Sequence, residues 1–384
     1  MMSNIPKLRF PEFSGEWEEK KLSDIASFSK GKGYTKNDLV YDGSPIILYG
    51  RMYTKYETVI SDIDTFVNLQ EGSIISKGGE IIVPASGETA EEISRASVVK
   101  NEGIILGGDL NIISLQKDKY NPEFFALTIS SGTSQKLLSK LAQGKSVVHL
   151  HNEDLSRLQI KVPTLAEQQK IADFLSNVDS IITAETKILN TLQKKKKALM
   201  QKLFTQQLRF KSDDGKDFPA WKEKKLGECV ISISSGKNKK KNSAGNFPVY
   251  GSMGIIGYSE QYVYNKDCIL VARVGANAGT LHIAKGKYDV SDNTLIIELN
   301  ENELLSFYYF LLVNINLNKL NYGTGQPLVT SGMLKNIDIQ LPCKAEQQKI
   351  ADCLSSMDSL IQTQQNVVTT WQQRKKALLQ QMFI

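Results

Sequence analysis

The most regular hydrophobic pattern in the chain has a helical period and occurs twice. Apolar residues alternate in steps of four and three from Ile171 and again from Ile350, with polar residues between them. This spacing places the apolar residues on one face of an α-helix, as in a coiled-coil seam. We therefore predict two long helices, residues 164–206 and 343–384, that pack on each other. The predicted pairing residues are Ile171, Leu175, Val178, Ile182, Leu189, Leu192, Ile350, Leu354, Met357, Ile361, Val368 and Trp371.

The two helices begin with nearly the same sequence. EQQKIADFLSNVDSII starts at Glu167 and returns 179 residues later, at Glu346, as EQQKIADCLSSMDSLI. An internal repeat of this kind defines the architecture before any single motif is interpreted. Thr164 and Glu167 also form a T-x-x-E pattern, which predicts a capping box at the first helix start. Cys343 replaces the threonine in the second copy, which predicts a weaker cap there.

The chain before each helix has a different texture, with short apolar runs bounded by Gly, Ser and Asp. Such runs, rich in Ile and Val, indicate short strands joined by turns. LRF and W-x-x-K-K-L motifs open both regions, at Leu8 and Trp17 and again at Leu208 and Trp221. We predict an α+β fold with two similar globular α/β domains of short mixed strands and helices. The domains cover residues 1–163 and 207–342, and each precedes one long helix.

Connectivity predicts the direction of the helices. The end of the first helix must deliver the chain to the second domain, which leads to the start of the second helix. An antiparallel pair needs no long return path, whereas a parallel pair does. We therefore expect two antiparallel helices separating the two domains in a pseudo-two-fold arrangement.

Composition excludes several classes of protein. The chain has 384 residues, a net charge of +6 and 41% hydrophobic residues, as expected for a globular protein that could bind a polyanion. No apolar run resembles a signal peptide or a membrane span. The four cysteines include no C-x-x-C pair, which indicates reduced, incidental thiols. We expect a cytoplasmic protein.

No catalytic constellation is present in the sequence. Gly144-Lys145-Ser146 resembles the end of a phosphate-binding loop but lacks the preceding glycine and the strand. The glycine-rich cofactor loop and the Asn/Asp-Pro-Pro-aromatic motif of a base methyltransferase are also absent. Three histidines without regular spacing do not suggest a metal site. We expect a chain without catalytic residues, cofactor or metal of its own.

Basic loops are the strongest candidates for binding. Lysines follow the first strand of each domain and could neutralise phosphates. Arginines near strand ends could bond guanine edges. For each side chain, a solvated surface charge is the alternative. The candidates are Lys30, Lys32, Lys237, Lys239, Lys240, Arg51, Arg95 and Arg273.

Taken together, these motifs resemble those of the specificity subunit of a type I restriction-modification system. The resemblance rests on the two L/V-P-x-x-x-E-Q-Q-K-I-A helix starts and the two W-x-x-K-K-L motifs. It also rests on PASGET and GGDLNII in the first domain and on FPVYGSMGIIGY, ARVGANAGT and GTGQPLV in the second. The first domain has Lys145-Ser-Val where the second has Thr324-Gly-Gln. From these motifs, four more residues join the candidate DNA contacts: Ser86, Lys145, Ser252 and Gln326.

The resemblance implies a division of labour. Each globular domain would read one half of a bipartite site in double-stranded DNA, while the helices set the spacing and dock two methyltransferase subunits. ATP-dependent restriction subunits would join that core. S-adenosylmethionine, ATP and Mg²⁺ would be bound by the partner subunits. The alternative is a coiled-coil adaptor that carries two modules for ligands other than DNA.

Overall fold

The chain divides into two compact units in the computed structural model. The structure describes residues 5–116, 118–142, 147–238, 245–320 and 327–384. The first unit comprises Met1–Thr186 with Asn366–Ile384, and the second comprises Lys187–Gln365. The division falls within both long helices. Each unit therefore contains one globular domain and a segment of each long helix.

The first domain consists of short strands and helices. Its strands are β1 (Glu18–Lys21), β2 (Ala26–Lys30), β3 (Leu39–Val40), β4 (Ser44–Ile47), β5 (Val59–Ile60), β6 (Phe66–Val67), β7 (Ile75–Lys77), β8 (Glu80–Pro84), β9 (Ser86–Gly87), β10 (Ser97–Val99), β11 (Glu102–Leu106), β12 (Leu110–Leu115), β13 (Val148–His149) and β14 (Gln159–Val162). Its helices are α1 (Leu22–Ile25), α2 (Arg51–Thr54), α3 (Ala90–Ile93), α4 (Pro122–Ile129), α5 (Gly132–Leu141) and α6 (Asn152–Ser156), with a 3₁₀ turn at Lys36–Asp38. The long helix α7 (Leu165–Phe204) follows.

The second domain repeats this order with fewer elements. Its strands are β15 (Lys222–Lys225), β16 (Val230–Ser235), β17 (Phe247–Gly251), β18 (Gly254–Ser259), β19 (Tyr264–Asn265), β20 (Cys268–Ala272), β21 (Leu281–Ala284), β22 (Lys287–Val290), β23 (Thr294–Leu299) and β24 (Asp338–Leu341). Its helices are α8 (Leu305–Ile315) and α9 (Ser331–Lys335), with 3₁₀ turns at Leu226–Glu228 and Leu317–Leu320. The long helix α10 (Lys344–Met382) follows.

Both domains share one sheet topology. The order β2-β12-β8 in the first domain corresponds to β16-β23-β20 in the second, with the central strand antiparallel to both neighbours. The parallel pair β4 and β11 corresponds to the parallel pair β17 and β22. A two-stranded ladder leads into each long helix, formed by β1 with β14 and by β15 with β24. The prediction of two similar mixed α/β domains is confirmed.

Each unit has a main core that the long helices help to form. Aromatic residues at the start of α4 and α8, such as Phe124 and Phe307, are fully buried there. In the first unit, Ile171 and Leu175 share this core with Phe124 and the C-terminal Met382. The core of the second unit contains Ile350, Leu354, Leu203 and Phe307. The long helices are therefore part of both cores. Burying each such apolar side chain stabilises the fold by about 1.5–3 kcal/mol.

The helix segments run antiparallel within each unit. In the first unit, Asp179 forms an ion pair with Lys375 at 2.6 Å, while the earlier Leu175 shares a core with the later Met382. The second unit has the equivalent ion pair, Lys196 to Asp358 at 2.5 Å. The antiparallel direction predicted from connectivity is thus present in both units.

The twelve predicted pairing residues are all buried or half-buried. Ile171, Leu175, Ile350 and Leu354 belong to the two main cores, so these four pack against their domains as well. Leu189 and Val368 are also buried. The pairing register of the full set stays a prediction.

A buried carboxylate at the start of each long helix binds the segment that opens its domain. Glu167, with 1% of its side chain exposed, accepts two hydrogen bonds of 2.7 Å from Arg9 and one of 3.3 Å from the indole of Trp17. The bond to Glu167 raises the pKa of Arg9. The helix start is therefore held to the N-terminal segment as well as to the preceding strand.

The same clamp recurs in the second unit. Arg209 donates two hydrogen bonds to Glu346, at 3.0 and 2.7 Å, and Trp221 donates a third at 3.1 Å. We call the two arrangements, Arg9–Glu167–Trp17 and Arg209–Glu346–Trp221, the helix clamps. They explain why the LRF, tryptophan and EQQ motifs repeat together.

The predicted capping box is only half correct. The backbone N–H of Glu167 donates to the Thr164 hydroxyl at 3.4 Å, as expected. The Glu167 carboxylate, however, binds the arginine and tryptophan of the clamp in place of the helix-start amides. A bidentate bond to a guanidinium is stronger than a neutral cap, so the carboxylate faces the domain.

The C-terminus completes the first unit. Met382 and Phe383 are buried in its core, and the Thr133 hydroxyl donates to the carbonyl of Ile384. The Leu8 amide donates to the Gln381 carbonyl at 2.9 Å. In the second unit the Leu208 amide makes the equivalent bond to the Lys202 carbonyl, at 3.1 Å. In the second unit, the helix end and the LRF segment are thus joined by a continuous stretch of chain. In the first unit, the same two parts are distant in sequence and are joined by non-covalent contacts.

We predict that Arg9→Met destabilises the first unit by about 3–5 kcal/mol, because it leaves the buried Glu167 carboxylate without its cation. Hydrogen–deuterium exchange of first-unit peptides measures this loss. The matched control is Arg157→Met, whose ion pair with Glu153 is exposed and should contribute at most about 1 kcal/mol. Equal effects of the two substitutions would contradict the structural role of the clamp.

We also predict that Phe383→Ala lowers the stability of the first unit by about 3–5 kcal/mol, because it removes a ring that packs on Phe124 at 5.5 Å between centroids. Calorimetry should show one unfolding transition moving to lower temperature. Leu360→Ala, on the preceding helix α10 and 54% exposed, is the control and should change stability by less than about 0.5 kcal/mol. An unshifted transition in Phe383→Ala would show that the C-terminus is not part of the core.

Candidate nucleic-acid interface

Several strand ends of the second domain meet at one edge. β16, β17, β20 and β22 all end there, and β23 begins there, as the pairing of Ser235 with Leu295 and of Ala272 with Thr294 shows. The loops that follow these strands therefore lie side by side. We call this loop edge of the second domain its reading edge.

The first domain has the same reading edge. β2, β4, β8 and β11 end there and β12 begins there, with Asn111 opposite Lys30 and Leu110 opposite Pro84. The short strand β13 adds to it by pairing with β9. Because the two topologies agree, equivalent loops of the two domains occupy equivalent places.

Matching backbone hydrogen bonds hold the two edges in the same form. The Gly31 amide donates to Leu110 at 2.9 Å, and its counterpart Gly236 donates to Thr294 at 3.0 Å. The turns between β11 and β12 and between β22 and β23 are also tied in the same way. The Gly107 amide donates to the Ile47 carbonyl at 3.0 Å in the first domain, and the Ser291 amide donates to the Tyr250 carbonyl at 2.8 Å in the second. A third backbone hydrogen bond is also shared. The Ala85 amide donates to the Asp109 carbonyl at 2.8 Å in the first domain, and the Arg273 amide donates to the Asn293 carbonyl at 2.9 Å in the second. The backbone is thus shared and the side chains differ.

Glycine is required where the loop passes closest to the neighbouring turn. A Cβ on Gly31 would lie 1.9 Å from the Gly107 carbonyl oxygen, and one on Gly236 would lie 2.3 Å from that of Val290. Both distances are shorter than any stable contact. Lys32 and Lys237, which directly follow these glycines, therefore lie beside closely packed points of the backbone.

Most described candidates lie on the reading edges. Lys30 and Lys32 are exposed in the first domain, and Lys237 is exposed in the second. Three half-buried candidates also lie there: Ser86 in the first domain and Ser252 and Arg273 in the second. Lys145, Lys239, Lys240 and Gln326 lie outside the described residues.

Two predicted arginines are placed differently. Arg51 is buried, and its guanidinium binds Glu57 at 2.7 Å and Asp64 at 2.6 Å, so it holds together the loop beyond the edge. Arg95 follows α3 and lies over the ring of Tyr56, 5.5 Å from its centroid. Because two carboxylates already neutralise the charge of Arg51, it is left out of the proposed DNA contacts.

The structure adds side chains that sequence reasoning missed. His149 lies on β13 and its Nδ1 is 3.2 Å from the Ser86 hydroxyl. Beside them, the Tyr53 hydroxyl donates to the Ser86 carbonyl at 2.6 Å, and burial raises the Tyr53 pKa, so it remains a neutral donor. In the second domain Met253 is 77% exposed at the tip of the β17–β18 hairpin. The shared Tyr-Gly-x-Met spacing, at Tyr49 and Tyr250, is the one sequence signal for these loops.

The described residues contain no group of His, Cys, Asp and Glu side chains arranged to hold a metal ion. Their helices also include none long and apolar enough to cross a membrane. The reading edges offer cations, hydroxyls, an imidazole and an apolar tip. That set suits contacts to phosphates and base edges, since it combines donors, acceptors and positive charge.

Comparison with known proteins gives a consistent result. A model of the type I restriction modification DNA specificity domain matches residues 14–194 and 220–370. The type I restriction enzyme MjaVIII specificity subunit of Methanocaldococcus jannaschii is 26% identical over 412 residues, covering 97% of this chain and 92% of that protein. The putative MjaX specificity subunit of the same organism is 25% identical, covering 98% and 95%.

Solved structures share the fold. The crystal structure of a type I restriction-modification system S subunit from M. genitalium superposes with a TM-score of 0.65 over 99% of both chains, at 17% identity. A chain from a study of complex assembly and conformational transition of the type I R-M system has a TM-score of 0.58 and 18% identity, covering 94% of this chain and 96% of that one.

We predict that Gly31→Ala destabilises the first reading edge by about 1–3 kcal/mol, because the added Cβ must displace the Gly107 carbonyl. Denaturant unfolding of the full chain measures the loss. Gly50→Ala is the matched control in the same domain: its Cβ would meet nothing within 4 Å and its φ is −60°, so stability should change by less than about 0.5 kcal/mol. A Gly31→Ala variant as stable as this control would show that the loop is not closely packed.

Proposed function

Since the chain belongs to the type I restriction-modification DNA specificity family, we propose that each globular domain reads one half of a bipartite DNA sequence. The observation that carries this proposal is the pair of reading edges. They have the same backbone hydrogen bonds and different side chains, as expected of one scaffold used for two sequences. In this role the chain selects the DNA sequence, and the partner subunits catalyse methyl transfer and restriction.

The proposed DNA contacts divide into two kinds. Lys30, Lys32 and Lys237 are exposed beside the closely packed glycine loops and would neutralise phosphates. Arg273, Ser86 and Ser252 lie deeper at strand ends and would contact base edges. Phosphate contacts set the register of the domain on the duplex, and base contacts select the sequence.

The helix pair has a second proposed role, in spacing and assembly. The two units carry the same helix clamp and the same antiparallel ion pair, so they offer related surfaces to two methyltransferase subunits. Restriction subunits driven by ATP would join this core. S-adenosylmethionine, ATP and Mg²⁺ would be bound by those partners, and the target base would be flipped into the methyltransferase. The proposed place of action is the cytoplasm.

A coiled-coil adaptor with two modules for other ligands is the second candidate. The family match across both domains favours DNA. Salt-dependent binding separates the two, since a phosphate-contacting complex loses affinity steeply as salt rises. Absence of such binding by the chain with its methyltransferase partner would support the adaptor.

We predict that exchanging residues 17–163 for the matching domain of another specificity subunit changes one half of the methylated sequence and leaves the other half unchanged. The reason is that each reading edge is built within a single domain. Sequencing of methylated bases in a host that expresses the complex measures the outcome.

The matched control exchanges residues 221–342, which should change only the other half. Loss of both halves in a complex that still assembles would contradict independent reading by the two domains. Unmethylated DNA in both exchanges, with the wild-type chain active, would point to failed assembly, which native mass spectrometry checks directly.

A further inference from the structure

An open groove of about 750 Å³ lies in the second unit between α7, the end of α8 and α10. Three apolar side chains line it, Met200, Val313 and Ile361, among polar ones such as Gln193 and Asn314. Its rim carries the exposed Lys197 and Lys319. Inside the groove, the charge of Lys196 is matched by Asp358 at 2.5 Å. The groove therefore combines a patch of apolar side chains with a positive rim.

The first unit contains the same place in a filled form. Its ion pair, Asp179 with Lys375, is the repeat counterpart of Asp358 with Lys196 in the second unit. Asp358 follows Asp179 by 179 residues, and Lys375 follows Lys196 by the same number. Thr58 covers this pair: its hydroxyl donates to Asp179 at 3.2 Å and accepts from Lys375 at 3.4 Å. Tyr56 covers the end of α4 by bonding Ser130 at 3.3 Å. A peptide segment of the chain itself, Tyr56–Thr58, occupies the groove there.

The difference arises from one segment that the two domains fold differently. In the first domain, the chain from the Tyr-Gly-x-Met sequence onward forms α2 and then passes to β5 through Tyr56 and Thr58. In the second domain, it forms the β17–β18 hairpin. Among the described residues of the second unit, none takes the place of Tyr56–Thr58 in the groove.

We propose that a polypeptide segment of a methyltransferase subunit fills the groove of the second unit in the assembled complex. The segment would place an apolar or aromatic side chain over Met200, Val313 and Ile361 and a carboxylate between Lys197 and Lys319. The identity of the partner rests on the function proposed above. The groove itself is a feature of this chain alone.

Two observations favour a peptide over the DNA backbone as the occupant. The first is that the equivalent place in the first unit is filled by polypeptide. The second is the apolar patch of Met200, Val313 and Ile361, which a phosphodiester chain would leave uncovered while an amphipathic peptide would bury it. The lysine rim then selects an acidic segment through charge complementarity.

The proposal also makes the two helical surfaces unequal. In the first unit, Tyr56–Thr58 of the chain itself fill the groove, whereas in the second unit a segment of the partner would fill it. Two identical methyltransferase subunits would therefore bind through partly different contacts, and only one of them would insert the segment.

The test uses the full chain with the full-length methyltransferase subunit, titrated by native mass spectrometry. In Lys197→Glu/Lys319→Glu we expect one of two methyltransferase copies to bind about tenfold more weakly or worse, and the other to bind as in wild type. Both lysines are exposed, so the fold is retained. The control Lys222→Glu/Lys224→Glu makes the same change in net charge on the exposed face of β15, outside the groove, and should bind both copies normally.

A benzophenone photocrosslinker at position 319 provides the second readout. The proposal requires a crosslink to one acidic segment of the methyltransferase subunit. Unchanged affinity of both copies, or no such crosslink, would overturn it. Weaker DNA binding by the double variant with both copies retained would also overturn it, in favour of phosphate binding. Failure of the proposed function is separate: the wild-type complex would then assemble and show no sequence preference on DNA.

Discussion

The buried carboxylates of Glu167 and Glu346 are the contacts on which the rest of the structure depends. Each has at most 1% of its side chain exposed, and each is compensated by an arginine and a tryptophan from the start of its domain. Removing such a charge from water is costly unless it is fully paired. The long helix can therefore begin correctly only when the opening segment of the domain is in place, which couples the domain to its helix.

This coupling leaves the loop edges free to differ. The strand order and the hydrogen bonds that support the edges are the same in both domains, down to the glycine that passes against the neighbouring turn. The segment that contains the Tyr-Gly-x-Met sequence shows how far the loops can diverge on this frame. It forms the short helix α2 with Met52 buried in one domain and the β17–β18 hairpin with Met253 exposed in the other. A shared frame with divergent loops suits a protein that must recognise two different sequences.

Much of the fold could be predicted because its signals are periodic or repeated. The apolar spacing from Ile171 and from Ile350 predicted both long helices, and connectivity predicted that they run antiparallel within each unit. The candidate site was less predictable. Exposed lysines at or just after the ends of β2 and β16 lie on the reading edges, yet Arg51 has the same appearance in sequence and is buried between two carboxylates. A local pattern does not reveal which acidic residues, distant in sequence, will neutralise a charge.

By itself, the sequence determined the duplication, the helical period, the mixed α/β character of the domains and the resemblance to a DNA specificity family. These follow from residue order, because periodicity and repeats are properties of the chain. Only the tertiary structure decided what the repeated glutamates bind, which loops share an edge, and that Tyr56 and Thr58 occupy a place that the described residues of the second unit leave open. Such contacts join residues far apart in sequence, and they depend on packing and on burial of charge, which residue order does not express.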